Sequence, residues 1–223
     1  MKQFAKGICF QVWLILLAGP FISANPGSDS PSLLPHPQVV EWTPERFPCN
    51  HGDPFADPRI RRITVVSISD ARLNMDESYR LVVRADSILI YATTEEGFFR
   101  AESTLGQLLI NDQAGNYFSG CRITDWPAFR IRGFMHDCGR SFIPLNELKR
   151  EIEMLSRFKI NTFHWHLTED LAWRLASDIV PEVTGPGATL RDNNGYYTRE
   201  EVKEFVRFCN DHFVEVIPEI DMP

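Results

Sequence analysis

The spacing of apolar residues changes twice along the chain. From residue 25 to about 60 there is little periodicity and much proline; one strand-like stretch, Val39 to Trp42, precedes a loop holding Pro48, Gly52, Pro54 and Pro58. From Arg62 the pattern becomes one of short strands at Ile63 to Ile68, Tyr79 to Val83 and Ser87 to Tyr91, with Asp86 and Ser87 in the turn between the last two. Thr94 opens a helical stretch in which Phe98, Ala101, Leu105, Leu108 and Leu109 recur at helical spacing, ending near Asn111 and Asp112. Strands followed by a helix on one face predict a small α+β domain over residues 25–126. Its last part, Cys121 to Pro127, reads as a connector.

The pattern then alternates between strand and helix over residues 127–223. Arg130 to Asp137 predicts a strand; Leu145, Leu148, Ile152 and Leu155 trace one helix face; Asn161 to Thr168 predicts a second strand. A second helix begins at Thr198, whose hydroxyl and Glu201 three residues on make a capping box, and it continues to Phe213. Val214 to Asp221 is the third strand. Three strands alternating with two helices predict a parallel α/β unit. In the second strand Thr162, His164, His166 and Thr168 share one face, and Phe163, Trp165 and Leu167 the other. In the third, Glu215, Ile217, Glu219 and Asp221 share a face. The apolar sides are expected under the helices, which turns imidazoles and carboxylates toward a ligand site at the strands' carboxyl ends. The long segment from Glu169 to Tyr197 starts at such an end.

Composition narrows the setting. Lys2 and Lys6 precede an apolar run from Ile8 to Ile22, followed by Ser23, Ala24 and a polar stretch, the layout of a secretory leader cleaved after Ala24. The run is shorter than a bilayer span of about 20 residues, so a secreted or periplasmic protein with no membrane attachment after cleavage is expected. Against 30 acidic residues stand 23 basic ones, giving a net charge of -7 with no sustained basic patch, which argues against nucleic acid as a partner. Cys49, Cys121, Cys138 and Cys209 remain after the leader, enough for up to two disulfides of undeducible pairing; for Cys209 a buried helix position is the expectation.

The candidate chemistry lies in three stretches: Arg132-Gly-Phe-Met-His-Asp137-Cys-Gly-Arg140-Ser-Phe142, Asn161-Thr-Phe-His164-Trp165-His166-Leu-Thr168-Glu169-Asp170, and Ile217-Pro-Glu219-Ile-Asp221-Met-Pro223. From the residues alone, His164 and His166 on one strand face could be a pair of metal ligands. In order and spacing, however, the three stretches resemble successive motifs of family 20 glycoside hydrolases, with weaker similarity reaching back through Tyr79-Arg-Leu and Gly97-Phe-Phe-Arg. The resemblance covers most of the chain after the leader.

The resemblance implies an α+β N-terminal domain followed by the first three strands of a (β/α)8 TIM barrel. It also implies an exo-β-N-acetylhexosaminidase, which removes terminal β-linked N-acetylglucosamine or N-acetylgalactosamine from glycans. In that family the sugar's own acetamido oxygen attacks the anomeric carbon, an exception to the two-carboxylate scheme; a Glu serves as acid and base, and the Asp before it orients the acetamido group. Arg140 matches the arginine that grips the 3- and 4-hydroxyls of the terminal sugar, a task suited to a guanidinium fork. Glu169, Asp221 and His166 match supporting groups, Glu169 standing where many members have Asp. No cofactor and no metal is implied. The single Asp-Glu dipeptide, Asp76-Glu77, lacks the family's His-x-Gly-Gly context and reads as a solvated turn. The catalytic pair is thus expected beyond Pro223, and the chain is expected to be an inactive fragment. Two alternatives remain at this point: a metal-dependent hydrolase using His164 and His166, or a non-catalytic carbohydrate-binding remnant.

Overall fold

The computed structural model describes residues 30–49, 53–68, 75–113, 115–185, 187–188 and 195–221. The leader expected over residues 1–24 lies outside them, as do Asn193 and Asn194 of the long segment. Among the described residues no helix is long and apolar enough to cross a membrane.

The first half forms one sheet with a helix on it. Its strands are β1 (Val39–Pro48), β2 (Ile60–Thr64), β3 (Tyr79–Val83), β4 (Ile88–Ala92), β5 (Leu109–Asp112) and β6 (Gly115–Asp125), in the order β1-β6-β3-β4-β2, with β5 also paired to β6. All pairs are antiparallel except β2 with β4. Helix α1 (Glu95–Leu108) is capped by the Thr94 hydroxyl, which accepts from Gly97 N at 3.1 Å. It buries Phe98, Ala101, Leu105 and Leu108 against Leu81, Ile88, Ile90 and Ile123 of the sheet. Gly97 is required by this close approach, since a Cβ there would lie 2.7 Å from the Ser78 carbonyl oxygen.

Four expectations for this half are corrected. The connector at residues 121–127 is instead the end of β6, which pairs with β1 on one side and with β3 and β5 on the other. Cys121 and Ile123 face the core there, opposite Val83 and Leu81. Val39 to Trp42 extends into a strand of 10 residues on the sheet edge, where the bulge between Trp42 and Arg46 accommodates Pro44. Helix α1 stops at Leu108, and Leu109 to Asp112 turns back as β5, the hairpin partner of β6. The strand expected at Ile63 to Ile68 begins earlier and ends at Thr64.

The second half is the expected parallel unit. β7 (Gly133–Asp137), β8 (Thr162–His166) and β11 (Glu215–Glu219) form a sheet in the order β11-β8-β7, with α2 (Leu145–Arg157) and α3 (Arg199–Asp211) on one face. The Thr198–Glu201 capping box is present. Phe163 and Trp165 meet Phe205 of α3 at ring centroid distances of 5.7 and 4.9 Å, and Tyr197 lies 4.7 Å from Trp165. Two further short strands, β9 (Thr168–Glu169) and β10 (Ala172–Trp173), make a hairpin directly after β8. The long segment is therefore tied at both ends: Tyr197 N donates to Arg174 O, and Ala176 N to Tyr197 O.

The two halves meet through buried polar groups. Glu77 accepts from Arg100 Nε at 2.9 Å, from both Arg132 Nη atoms and from Asn161 Nδ2. Lys159 Nζ donates to Asp125 Oδ2 at 2.7 Å and to the Tyr79 hydroxyl at 2.9 Å. Of the Asp76-Glu77 dipeptide, expected as a solvated turn, Asp76 is exposed but Glu77 is buried. Glu77 is 3% exposed because it neutralises one guanidinium from each half.

Candidate active site

The parallel register aligns Asp137, His166 and Glu219 in one row across the carboxyl ends of the three strands. Backbone bonds hold that row together: Cys138 N and Gly139 N both donate to His166 O, and Leu167 N donates to Glu219 O. Asp221 follows two residues beyond the row, its backbone N–H donating to Thr168 Oγ1 at 2.7 Å.

Arg140 sits on the turn after β7. Its backbone N–H donates to Asp137 Oδ1 at 2.9 Å and its Nη1 to Asp137 Oδ2 at 2.5 Å, while Nη2 pairs with Glu169 Oε1. Asp137 and a second carboxylate therefore act on the same guanidinium. Its side chain remains 58% exposed, so the fork is oriented by protein yet open to solvent. Gly139 permits this arrangement, because a Cβ there would lie 3.1 Å from Glu169 Cβ and Cγ.

His166 is buried beneath this ion pair, and His164 is half-exposed. His164 Nε2 and His166 Nδ1 each lie 2.8 Å from the same oxygen, Glu219 Oε2. The two imidazoles thus converge on one carboxylate, and of the two only His166 lies in a cluster of three side chains spaced to hold a metal among the described residues. Burial alone would lower the His166 pKa, but the Glu219 hydrogen bond and the charges of Asp137 and Asp221 outweigh it and raise it. Glu219, bonded by His166 and His164, is held below the usual carboxylate range. Burial pushes Asp137 upward, but the two Arg140 hydrogen bonds prevail and hold it low. His166 Nε2 lies 3.5 Å from Glu169 Oε1 and 3.6 Å from Asp221 Oδ2.

All four residues singled out in the sequence, Arg140, Glu169, Asp221 and His166, come together here. Glu219 and Asp137 join them, although neither is marked by residue type alone, since their place depends on strand register. Arg174 was not foreseen. It is fully buried, with Nε donating to Cys138 O at 3.0 Å and Nη1 to Gly195 O at 2.8 Å, and so ties the long segment to the end of β7. A lone arginine in a loop carries no sequence signal for this role.

A parallel β/α sheet with an oriented guanidinium, imidazoles and carboxylates at its strand ends places the chain among β/α proteins that bind polar ligands at that edge. Within that class it belongs to glycosyl hydrolase family 20. Residues 46–126 match the family's sequence profile described as domain 2, and residues 129–223 match that of the catalytic domain. The beta-hexosaminidase of Porphyromonas gingivalis is 38% identical over 160 residues, which are 66% of this chain and 21% of that protein. That of Akkermansia muciniphila is 29% identical over 223 residues, covering 94% of this chain and 42% of the relative. Among solved structures, the beta-N-acetylhexosaminidase from Bacteroides fragilis superposes with a TM-score of 0.74 at 30% identity, covering 86% of this chain and 45% of that one. The GH20 exo beta-N-acetylglucosaminidase from Vibrio harveyi in complex with N-acetylglucosamine gives 0.71 at 30% identity, over 86% and 36%. The chain spans less than half the length of each of these four proteins.

Proposed function

We propose that this chain supplies the sugar-gripping edge of a β-N-acetylhexosaminidase acting on terminal β-linked N-acetylglucosamine or N-acetylgalactosamine. The observation that carries this reading is Arg140, whose guanidinium is held by Asp137 and Glu169 while staying open to solvent. A fork fixed on two carboxylates has its remaining N–H groups preset for two neighbouring hydroxyls, so little side-chain freedom is lost on binding. Glu169 and Asp221 support this role together with His166, which Glu219 anchors from below.

Neither Asp137 nor Glu219 is suited to be the general acid. That role calls for a pKa raised toward neutrality, whereas Asp137 and Glu219 are both lowered, and Glu77 is enclosed at the opposite end of the sheet. The proposed mechanism therefore assigns the acid/base Glu and acetamido-orienting Asp to the family's Asp-Glu pair, outside these residues. The 223-residue chain is expected to show no turnover of a chromogenic N-acetylglucosaminide. Steady turnover would overturn this assignment.

The site itself is tested in an enzyme carrying this segment together with the rest of a family 20 catalytic domain. Arg140→Ala removes a charged hydrogen bond worth about 1.5 to 3 kcal/mol, so kcat/KM should fall about 10- to 150-fold. Arg140→Lys should recover little, because an ammonium has no fork. An unchanged kcat/KM in the alanine variant would make Arg140 structural. Export through the N-terminal leader is part of the same proposal, consistent with a glycan substrate outside the cell.

A further inference from the structure

The His166 ring is bound on one side only. Its Nδ1 lies 2.8 Å from Glu219 Oε2, while Nε2 is buried and makes no hydrogen bond among the described residues. That nitrogen faces Glu169 and Asp221, and one ligand atom from each of the three residues lies within 4.8 Å of the others.

The two separations from His166 Nε2 are those of a metal shell. Metal–ligand bonds of about 2.0 to 2.2 Å in a tetrahedron place neighbouring ligand atoms about 3.3 to 3.6 Å apart. His166 Nε2 lies 3.5 Å from Glu169 Oε1 and 3.6 Å from Asp221 Oδ2. Both separations exceed an N–H···O hydrogen bond. The Glu219–His166 contact supplies the outer half of a carboxylate–histidine–metal arrangement, in which Nδ1–H bonds a carboxylate and leaves the Nε2 lone pair for the ion. Asp137 and Glu169 pair with the Arg140 guanidinium while Glu219 and Asp221 lie against His166, so in this cluster four carboxylates stand against one guanidinium. The Asp221 side chain is 51% exposed, which leaves a path from solvent and a position for a water ligand.

We propose that His166 Nε2, Glu169 and Asp221 bind a zinc-type divalent cation, and that the bound cation excludes the terminal sugar from Arg140. The second clause rests on the reading of Arg140 as the sugar contact. Glu169 Oε1 is both the nearest oxygen of that residue to His166 Nε2 and the partner of Arg140 Nη2. A dication on that oxygen repels the guanidinium and releases the fork from the orientation that suits a sugar.

The purified 223-residue chain is titrated with Co2+, following the visible band of four-coordinate cobalt, and with Zn2+ by calorimetry. One ion per chain is expected. His166→Gln and Asp221→Asn should abolish the cobalt band, and Glu219→Gln should weaken binding about 10- to 100-fold. His36→Gln, outside the cluster, should bind as the parent does. No saturable binding by the parent overturns the site, as does equal loss in His36→Gln and His166→Gln, which would mean non-specific capture by histidines. N-acetylglucosamine is then added to the metal-free and the metal-loaded chain. Binding to the metal-free chain alone supports exclusion, and equal binding to both overturns it. Binding to neither overturns the sugar reading while leaving the metal result intact.

Discussion

At the scale of single residues, burial decides which side chains react. Cys49, Cys121, Cys138 and Cys209 are all free thiols, so the two disulfides that the sequence permitted are not formed; Cys121, Cys138 and Cys209 are buried, and Cys49 is half-buried. Burial pushes Cys121 and Cys209 up to about 12. At pH 8 an alkylating reagent should therefore label Cys49 first and spare the other three, which mass spectrometry of peptides would check. The sign of the stability effect follows from proton counting. Above about pH 8.5 the unfolded thiols lose protons that the folded ones keep, so stability should fall as pH rises from about 9 toward 12. Cys209→Ala should flatten part of that slope in urea melts run at successive pH values. An unchanged slope would show that the thiol is not coupled to folding.

At the scale of elements, local chemistry and packing agree best in α3. Thr198 N–H donates to Glu201 Oε2 at 2.7 Å, and Glu201 N–H donates back to Thr198 Oγ1 at 3.2 Å. Thr198→Ala should cost about 1 kcal/mol and lower the melting temperature by about 2 to 4 °C. Calorimetry that shows no shift would mean the helix start is held by Tyr197 alone, through its hydroxyl bond to Ile143 O. The capping box and the helices were legible because each rests on a fixed spacing within one segment. β5 and the end of β6 were not. Leu109 and Ile110 continue the apolar pattern of α1, and nothing local in Cys121 to Asp125 reveals that three other strands pair along β6.

At the scale of the whole molecule, the two sheets are joined by Glu77. It accepts from Arg100 of the first half and Arg132 of the second, each largely buried. Glu77→Ala leaves two guanidinium groups beside an emptied cavity, and breaking such a buried pair should destabilise the chain by about 3 to 5 kcal/mol. The conservative Glu77→Gln keeps the shape and acceptor oxygen but not the charge, and should fall between. Urea unfolding monitored by tryptophan fluorescence and by far-UV circular dichroism should then separate into two transitions, as the sheets lose their connection. A single transition at the parent midpoint would show that Glu77 contributes nothing to the coupling.

The sequence by itself determined the helices, the alternating faces of β8, and the residue types at the site. These follow from periods of 3.6 and 2 and from motifs contained in a few consecutive residues. Arg140, His166, Glu169 and Asp221 were recognisable there as a set. Only the tertiary structure decided that Glu219 lies beneath both histidines, that Asp137 and Glu169 share one guanidinium, and that Glu77 is a buried junction. Each of those facts depends on strand register or on contact between residues far apart in the chain. No local period records that pairing, because it comes from burying Phe163, Trp165 and Val214 under the helices, which aligns the strand ends and brings their charges together.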